Sequence, residues 1–163
     1  MLDIERVVSS LAVLVLINGA PIIAWWLLRE RGAWPLDAGV MFVDKRPLFG
    51  ASKTVRGLIA ALAMGPLAAW LLGLAPEIGL RLAVFAMLGD LASSFVKRRL
   101  GLRPSDRARL LDQLPESLLP LLVTRTALGL SWGELIVVSV LFTVFDLMLS
   151  RLLFRLHLRK RPY

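Results

Sequence analysis

The sequence predicts an all-α integral membrane protein, with five transmembrane helices and two polar cytoplasmic segments that form the active site. Three observations predict it. Hydrophobic residues make up 57% of the 163 residues and mean hydropathy is +0.71, too apolar for an ordinary soluble domain of this size. The apolar residues gather into five runs, each near the ~20 residues needed to cross a bilayer. Seventeen of the twenty Lys and Arg residues lie in three short segments, 29–56, 97–109 and 151–161, which all fall on one side of a five-span chain. The positive-inside rule makes that side cytoplasmic, leaving the N-terminus outside and the C-terminus inside. The net charge of +8 is therefore explained by topology and needs no nucleic acid. The absence of cysteine excludes disulfides and thiolate metal sites.

The first run, about 7–28, is free of charge and contains Asn18, Gly19 and Pro21 as kink positions. It is too long for the apolar core of a signal peptide and no basic stretch precedes it, so it reads as a span. The polar segment 29–57 follows. The second and third runs, about 58–75 and 78–97, are joined by Ala75-Pro76-Glu77 and form a hairpin. The second polar segment, 98–114, leads to a fourth run at about 115–130, which contains Pro120 and Arg125. A turn at 129–133 connects it to the fifth, about 132–154. By length this is one domain, residues 1–163. Trp25, Trp26, Trp34, Trp70 and Trp132 fall near span ends and read as interfacial anchors, and Arg125 reads as snorkelling outward.

The third run carries the most informative residue. Asp90 interrupts an apolar helix, where an ionised carboxyl is costly and usually functional. Positions 90, 93, 94 and 97 share one helical face, so Asp90, Ser93, Ser94 and Lys97 form one stripe, with Arg98 beside its end. Ala83 and Ala86 extend that stripe backwards and permit close packing. Such a stripe suits a multiply charged anion and its metal.

The first polar segment contains Asp44-Lys45 and the run Gly50-Ala-Ser52-Lys53-Thr54. The spacing of a Walker A loop is absent. Ser52 is expected to cap the second helix, leaving free amides and a positive dipole end beside Lys53. The bland alternative is a solvated basic loop. In the second segment, Ser105 or Asp106 can cap a short interfacial helix, while Leu114 before Pro115 disfavours helix and Pro115 suits the first turn of the fourth span. Asp112 then lies just before that span, close to the end of the third. Asp106 and Asp112 are six apart and do not share a helical face; spacing favours Asp112 for the site. Oxygen ligands without His or Cys in reach point to Mg²⁺. His157 reads as a surface residue. Asp146 either borders the same cavity or pairs with a neighbouring cation.

Three motifs together resemble the CTP-dependent phosphatidate cytidylyltransferase superfamily, and most closely its archaeal branch, the CDP-archaeol synthase family. They are Ser52-Lys-Thr-x-x-Gly57, Gly89-Asp90-Leu91-x-Ser93-Ser94-x-x-Lys97-Arg98, and Leu111-Asp112-Gln113. The bacterial-type enzymes carry extra N-terminal spans and a His-Gly-Gly stretch before the aspartate. Arg107-Ala-Arg-Leu-Leu111 stands there instead, which favours the archaeal branch. The resemblance implies transfer of a cytidylyl group from CTP to 2,3-di-O-geranylgeranylglycerol 1-phosphate, with release of pyrophosphate. It implies Mg²⁺ held by Asp90 and Asp112, and phosphates neutralised by Lys53, Lys97 and Arg98. Thr54, Ser94 and the amides near Ser52 supply hydrogen bonds; Lys45, Gly50, Ser93 and Asp106 complete the expected phosphate-binding set. The prenyl chains lie among the apolar helices, and a homodimer is allowed but not required. Two other enzyme classes fit less well. The Asp-Gly-x-x-Ala-Arg pattern of CDP-alcohol phosphotransferases is missing, as are the paired aspartates of prenyltransferases. An anion or lipid transporter also accommodates an intramembrane acid, but no paired broken helices support it.

Overall fold

The computed structural model describes residues 2–29, 31–102 and 109–155; the side chains of 109–112 and 150–155 lie outside that description. The described chain forms five helices: α1 (Ile4–Leu28), α2 (Val55–Leu71), α3 (Pro76–Arg99), α4 (Arg109–Thr124) and α5 (Trp132–Arg155). Of these, α1, α3 and the 132–149 stretch of α5 are long and apolar enough to cross a membrane, and α2 is a shorter apolar helix of 17 residues. Each start has a local cause. Asp3 caps α1 by accepting from the Arg6 amide, and Pro76 occupies the first position of α3, where no amide is needed.

The boundaries of α2 and α4 differ from the sequence reading. The cap of α2 is Thr54, not Ser52: Thr54 has the extended backbone and accepts from the Gly57 amide at 3.3 Å. The cause is the preceding strand-like pairing. The Leu36 amide bonds Lys53 O at 2.7 Å and the Val55 amide bonds Trp34 O at 3.0 Å, holding the chain extended through Thr54. As described, the fourth helix spans Arg109–Thr124 and runs through both Pro115 and Pro120, so Asp112 lies inside α4 rather than before it. It also stops at Thr124 instead of continuing to 130. Residues 125–129 form a turn in which Gly129 takes a φ of 65° and the Leu130 amide closes onto Arg125 O.

Packing joins the helices into a closed bundle, α1 against α2, α2 against α3, α3 against α4, and α5 against both α4 and α1. Its centre is Val13, Leu14 and Ile17 of α1, Ala61 of α2, Leu82, Ala83 and Ala86 of α3, Leu121 of α4, and Val138 and Phe142 of α5. The α2–α3 hairpin is held by Gly65 against Gly79, where a Cβ on either would collide with the other's carbonyl. The outer faces are apolar too: Ile59, Leu67, Leu80, Leu88, Ile136 and Val140 are all exposed, as expected of a surface solvated by lipid.

The two ends differ. At one, the Asp3 and Ser131 amides both bond the Glu134 carboxylate at 2.7 Å, and Arg6 bonds Gly129 O at 2.8 Å, tying the start of α1 to the α4–α5 turn. Arg125 also lies at this end, stacked on Trp132 at 4.4 Å. At the other end, the segment between α1 and α2 folds against the C-terminal part of α3. That end holds Lys53, Asp90 and the basic last turn of α3.

Candidate active site

The stripe on α3 faces inward. Ser93 and Ser94 are 2% exposed, Lys97 8% and Arg98 4%. Asp90 meets the ammonium of Lys53, which contacts both its carboxyl oxygens. The Lys97 charge acts on the same carboxylate, and the Glu116 carboxyl of α4 lies beside it. Glu116 in turn feels the negative charge of Asp146 on α5, whose carboxylate accepts from Gln113 Nε2 at 3.2 Å. Asp90 of α3 and Glu116 of α4 therefore face each other, with Lys53 from the α1–α2 segment and Lys97 from the same α3 stripe balancing their charge. Isolated, any of these charges would be costly in the bundle.

What brings Asp90 to Glu116 is their neighbours. Gly89 packs directly on the Pro115 carbonyl, and a Cβ there would collide with it. The α3 and α4 backbones touch at this point, so the next residue on each chain is carried to the same place. Lys53 arrives from the turn before α2. Gly50 starts that turn with a φ of 90°, a conformation that favours glycine, and the Lys53 amide bonds Gly50 O at 3.1 Å.

The loop carrying Lys53 is itself built on two anchors. The first is Asp37, 6% exposed, whose carboxylate accepts the amides of Gly39 at 3.1 Å, Phe49 at 3.0 Å and Gly50 at 2.9 Å. Burial works to raise this carboxyl, but the amides of Gly50, Phe49 and Gly39 outweigh it, and the group lies below its ordinary value. The second anchor is reciprocal. Arg46 donates to the carbonyls of Arg98 and Arg99 at the end of α3, where cations are favoured. Arg99 donates back to Arg46 O and Pro47 O. Its guanidinium lies against the rings of Phe42 at 4.8 Å and Phe95 at 4.7 Å, and Asp44 pairs with it at 3.2 Å.

Of the expected site residues, Asp90, Lys53, Ser93, Ser94, Lys97 and Arg98 gather on or beside the inward face of α3. Ser93 spends its hydroxyl on Asp90 O at 2.9 Å. Thr54 caps α2 next to Lys53, Gly50 shapes the turn, and Ser52 is exposed on it. Lys45 stands at the exposed tip of the Met41–Pro47 hairpin with a φ of 59°. Asp106 and His157 lie outside the described residues. Asp112 is on α4, one turn before Glu116, and its side chain is also outside them. Asp44 is resolved as a partner of Arg99, and Asp146 as the acceptor of Gln113.

Glu116, Asp37, Arg46 and Arg99 were not foreseen. Glu116 carried the same signal as Asp90, an acid within an apolar helix, hidden by its place beside Pro115. The donor set fits a hard divalent cation. Asp90 and Glu116 present only carboxyl oxygens, from two rigid helices, the donor type that a hard cation takes alongside substrate phosphates.

Comparison with known proteins gives the family and the fold. The family described as CarS-like, CDP-archaeol synthase, matches residues 11–163. The CDP-archaeol synthase of Aeropyrum pernix is 35% identical, covering 98% of this chain and 92% of its own. That of Pyrobaculum calidifontis is 36% identical, covering 90% of both chains. A solved structure described as an intramembrane enzyme for archaeal membrane lipids biosynthesis superposes with a TM-score of 0.75 at 32% identity, covering 88% of this chain and 91% of that one.

Proposed function

The chain belongs to the CDP-archaeol synthase family, and on that premise we propose how its site works. The enzyme is a membrane cytidylyltransferase that forms CDP-archaeol in a CTP-dependent reaction with an archaeol phosphate. A lipid phosphate oxygen attacks the α-phosphorus of CTP and pyrophosphate leaves. The nucleophile is already an anion, so no general base or covalent residue is needed, and rate comes from alignment and charge neutralisation.

The observation that carries the assignment is the meeting of Lys53 with Asp90 and Glu116. Lys53 sits on a flexible four-carbon stem at a helix N-terminal turn, so it can leave Asp90 for a phosphate and remain charge-paired throughout. Lys97 and Arg98 lie further along the stripe, toward the cytoplasmic end, and are read as neutralising the triphosphate and leaving group. Thr54, Ser94 and the turn amides supply hydrogen bonds. Asp90 and Glu116, with Asp112 one turn before Glu116, would hold Mg²⁺, which when bound neutralises phosphate charge. The lipid chains lie along the apolar helices. The polar end is read as cytoplasmic, on the positive-inside argument.

The test is turnover by the purified protein with labelled CTP, Mg²⁺ or chelator, and a panel of ether- and ester-linked lipid phosphates. A metal-dependent CDP-lipid is expected. Equal turnover in chelator would remove the metal reading, and no product with any lipid phosphate would remove the assignment.

A further inference from the structure

The Lys53 turn is short and exposed, and its shape depends on residues well before it in the chain. Leu36 pairs its amide with Lys53 O, and the neighbouring Asp37 fixes the Phe49 and Gly50 amides with one carboxyl oxygen while holding Gly39 with the other. Gly50 O is in turn the acceptor for the Lys53 amide. The backbone of Lys53 is thus held from both sides by two adjacent residues, one through its amide and one through its side chain.

We infer that Asp37 is a positioning residue for nucleotide binding: it sets the Gly50–Thr54 turn and, through it, where the Lys53 ammonium can meet a phosphate. This rests on the reading of Lys53 as the phosphate-binding lysine. Asp37 bonds only amides of its own loop, outside the five helices. Disturbing it loosens the turn while leaving the α1–α5 packing in place. A residue that merely supported the fold would lower melting temperature and affect both substrates alike. A positioning residue raises the KM for CTP and spares that for the lipid.

Asp37→Asn is the variant of choice, since one of its two terminal atoms becomes a donor facing amide donors. Three arms are measured with purified enzyme: Asp37→Asn, Lys53→Ala and the double variant, with Glu134→Gln as a buried-carboxylate lesion at the opposite end. Lys53→Ala is expected to raise the KM for CTP roughly ten- to a hundredfold, and Asp37→Asn about fivefold, with the lipid KM within about twofold. Because Asp37 acts through Lys53, adding Asp37→Asn to Lys53→Ala should change the KM for CTP by less than about twofold. Glu134→Gln should lower melting temperature without a CTP-specific effect. An unchanged KM for CTP in Lys53→Ala would remove the Lys53 reading and this inference with it. A raised KM there, with Asp37→Asn unaltered or with multiplying effects in the double variant, would overturn the inference alone. Asp37→Glu, which keeps the charge but pushes it into the turn, is run in parallel. Failure of both Asp37 variants to fold would assign the residue to the fold and overturn the proposal.

Discussion

Asp90 is placed by packing in a position that burial alone would punish, and Lys53 and Lys97 make it tolerable. Replacing it by Asn keeps the shape and removes the charge that a hard cation requires. Asp90→Asn should therefore abolish CDP-lipid formation while the protein stays folded. Glu116→Gln should do the same, since it faces Asp90 across the α3–α4 contact. Near-normal turnover by either, at an unchanged melting temperature, would break the site apart. Lys53→Ala should cost roughly 1.5–3 kcal/mol of CTP binding, the value of a charge-assisted contact, read as a shift in CTP affinity. A pH effect belongs to Asp37. Its folded-state pKa lies below its ordinary value, so its stabilising contribution is present above the unfolded pKa and fades as pH falls through the folded one. Melting temperature should thus fall more steeply on the acid side in the wild type than in Asp37→Asn. Parallel curves would show that the amide cage does not act on stability through this carboxylate.

Elements were legible where one face repeats and obscure where two elements decide together. The stripe 90, 93, 94, 97 could be read because helical spacing alone puts it on one face, and those residues are inward. The α2 cap could not be settled locally: Ser52 and Thr54 are both good caps, and the pairing of residues 34–36 with 53–55 chose between them. Pro115 was read as a helix start, the commonest place for proline, yet α4 runs through it. Its carbonyl became the surface against which Gly89 packs, and that contact, invisible in one dimension, is what puts Glu116 on Asp90. Gly89→Ala should overpack this contact at a cost of about 1–3 kcal/mol, and lower turnover beyond its effect on melting. Gly19→Ala in α1 is the control, since nothing lies within 4 Å of its added methyl; it should be neutral or slightly stabilising. Equal behaviour of the two would mean that α3–α4 proximity does not govern the site.

Across the whole molecule, composition announced a membrane protein before any motif did, because the bundle is apolar on both its inside and its outside. What composition could not supply is which polar residues share an end. The structure gathers the 34–54 loop and the end of α3 through Arg46, Arg99 and the Lys53–Asp90 pair, and gathers Asp3, Gly129 and Glu134 at the opposite end. The charge pattern adds direction to this polarity: seventeen of twenty basic residues fall in the three segments assigned to the first end, so that end should face the cytoplasm. The chain has no cysteine, which makes single-cysteine variants clean reporters of side. Val43 is 90% exposed at the tip of the loop hairpin, and Glu77 is exposed in the first turn of α3, beside the α2–α3 turn. Neither takes part in the site. In sealed vesicles of known orientation, Val43→Cys should react with an impermeant maleimide only from the cytoplasmic face, and Glu77→Cys only from the other. Reversed labelling would invert the topology while leaving the bundle intact. Labelling of both from one face would place the α2–α3 turn beside the active-site loop, which a membrane-crossing α2 forbids, and the five-span arrangement would fall.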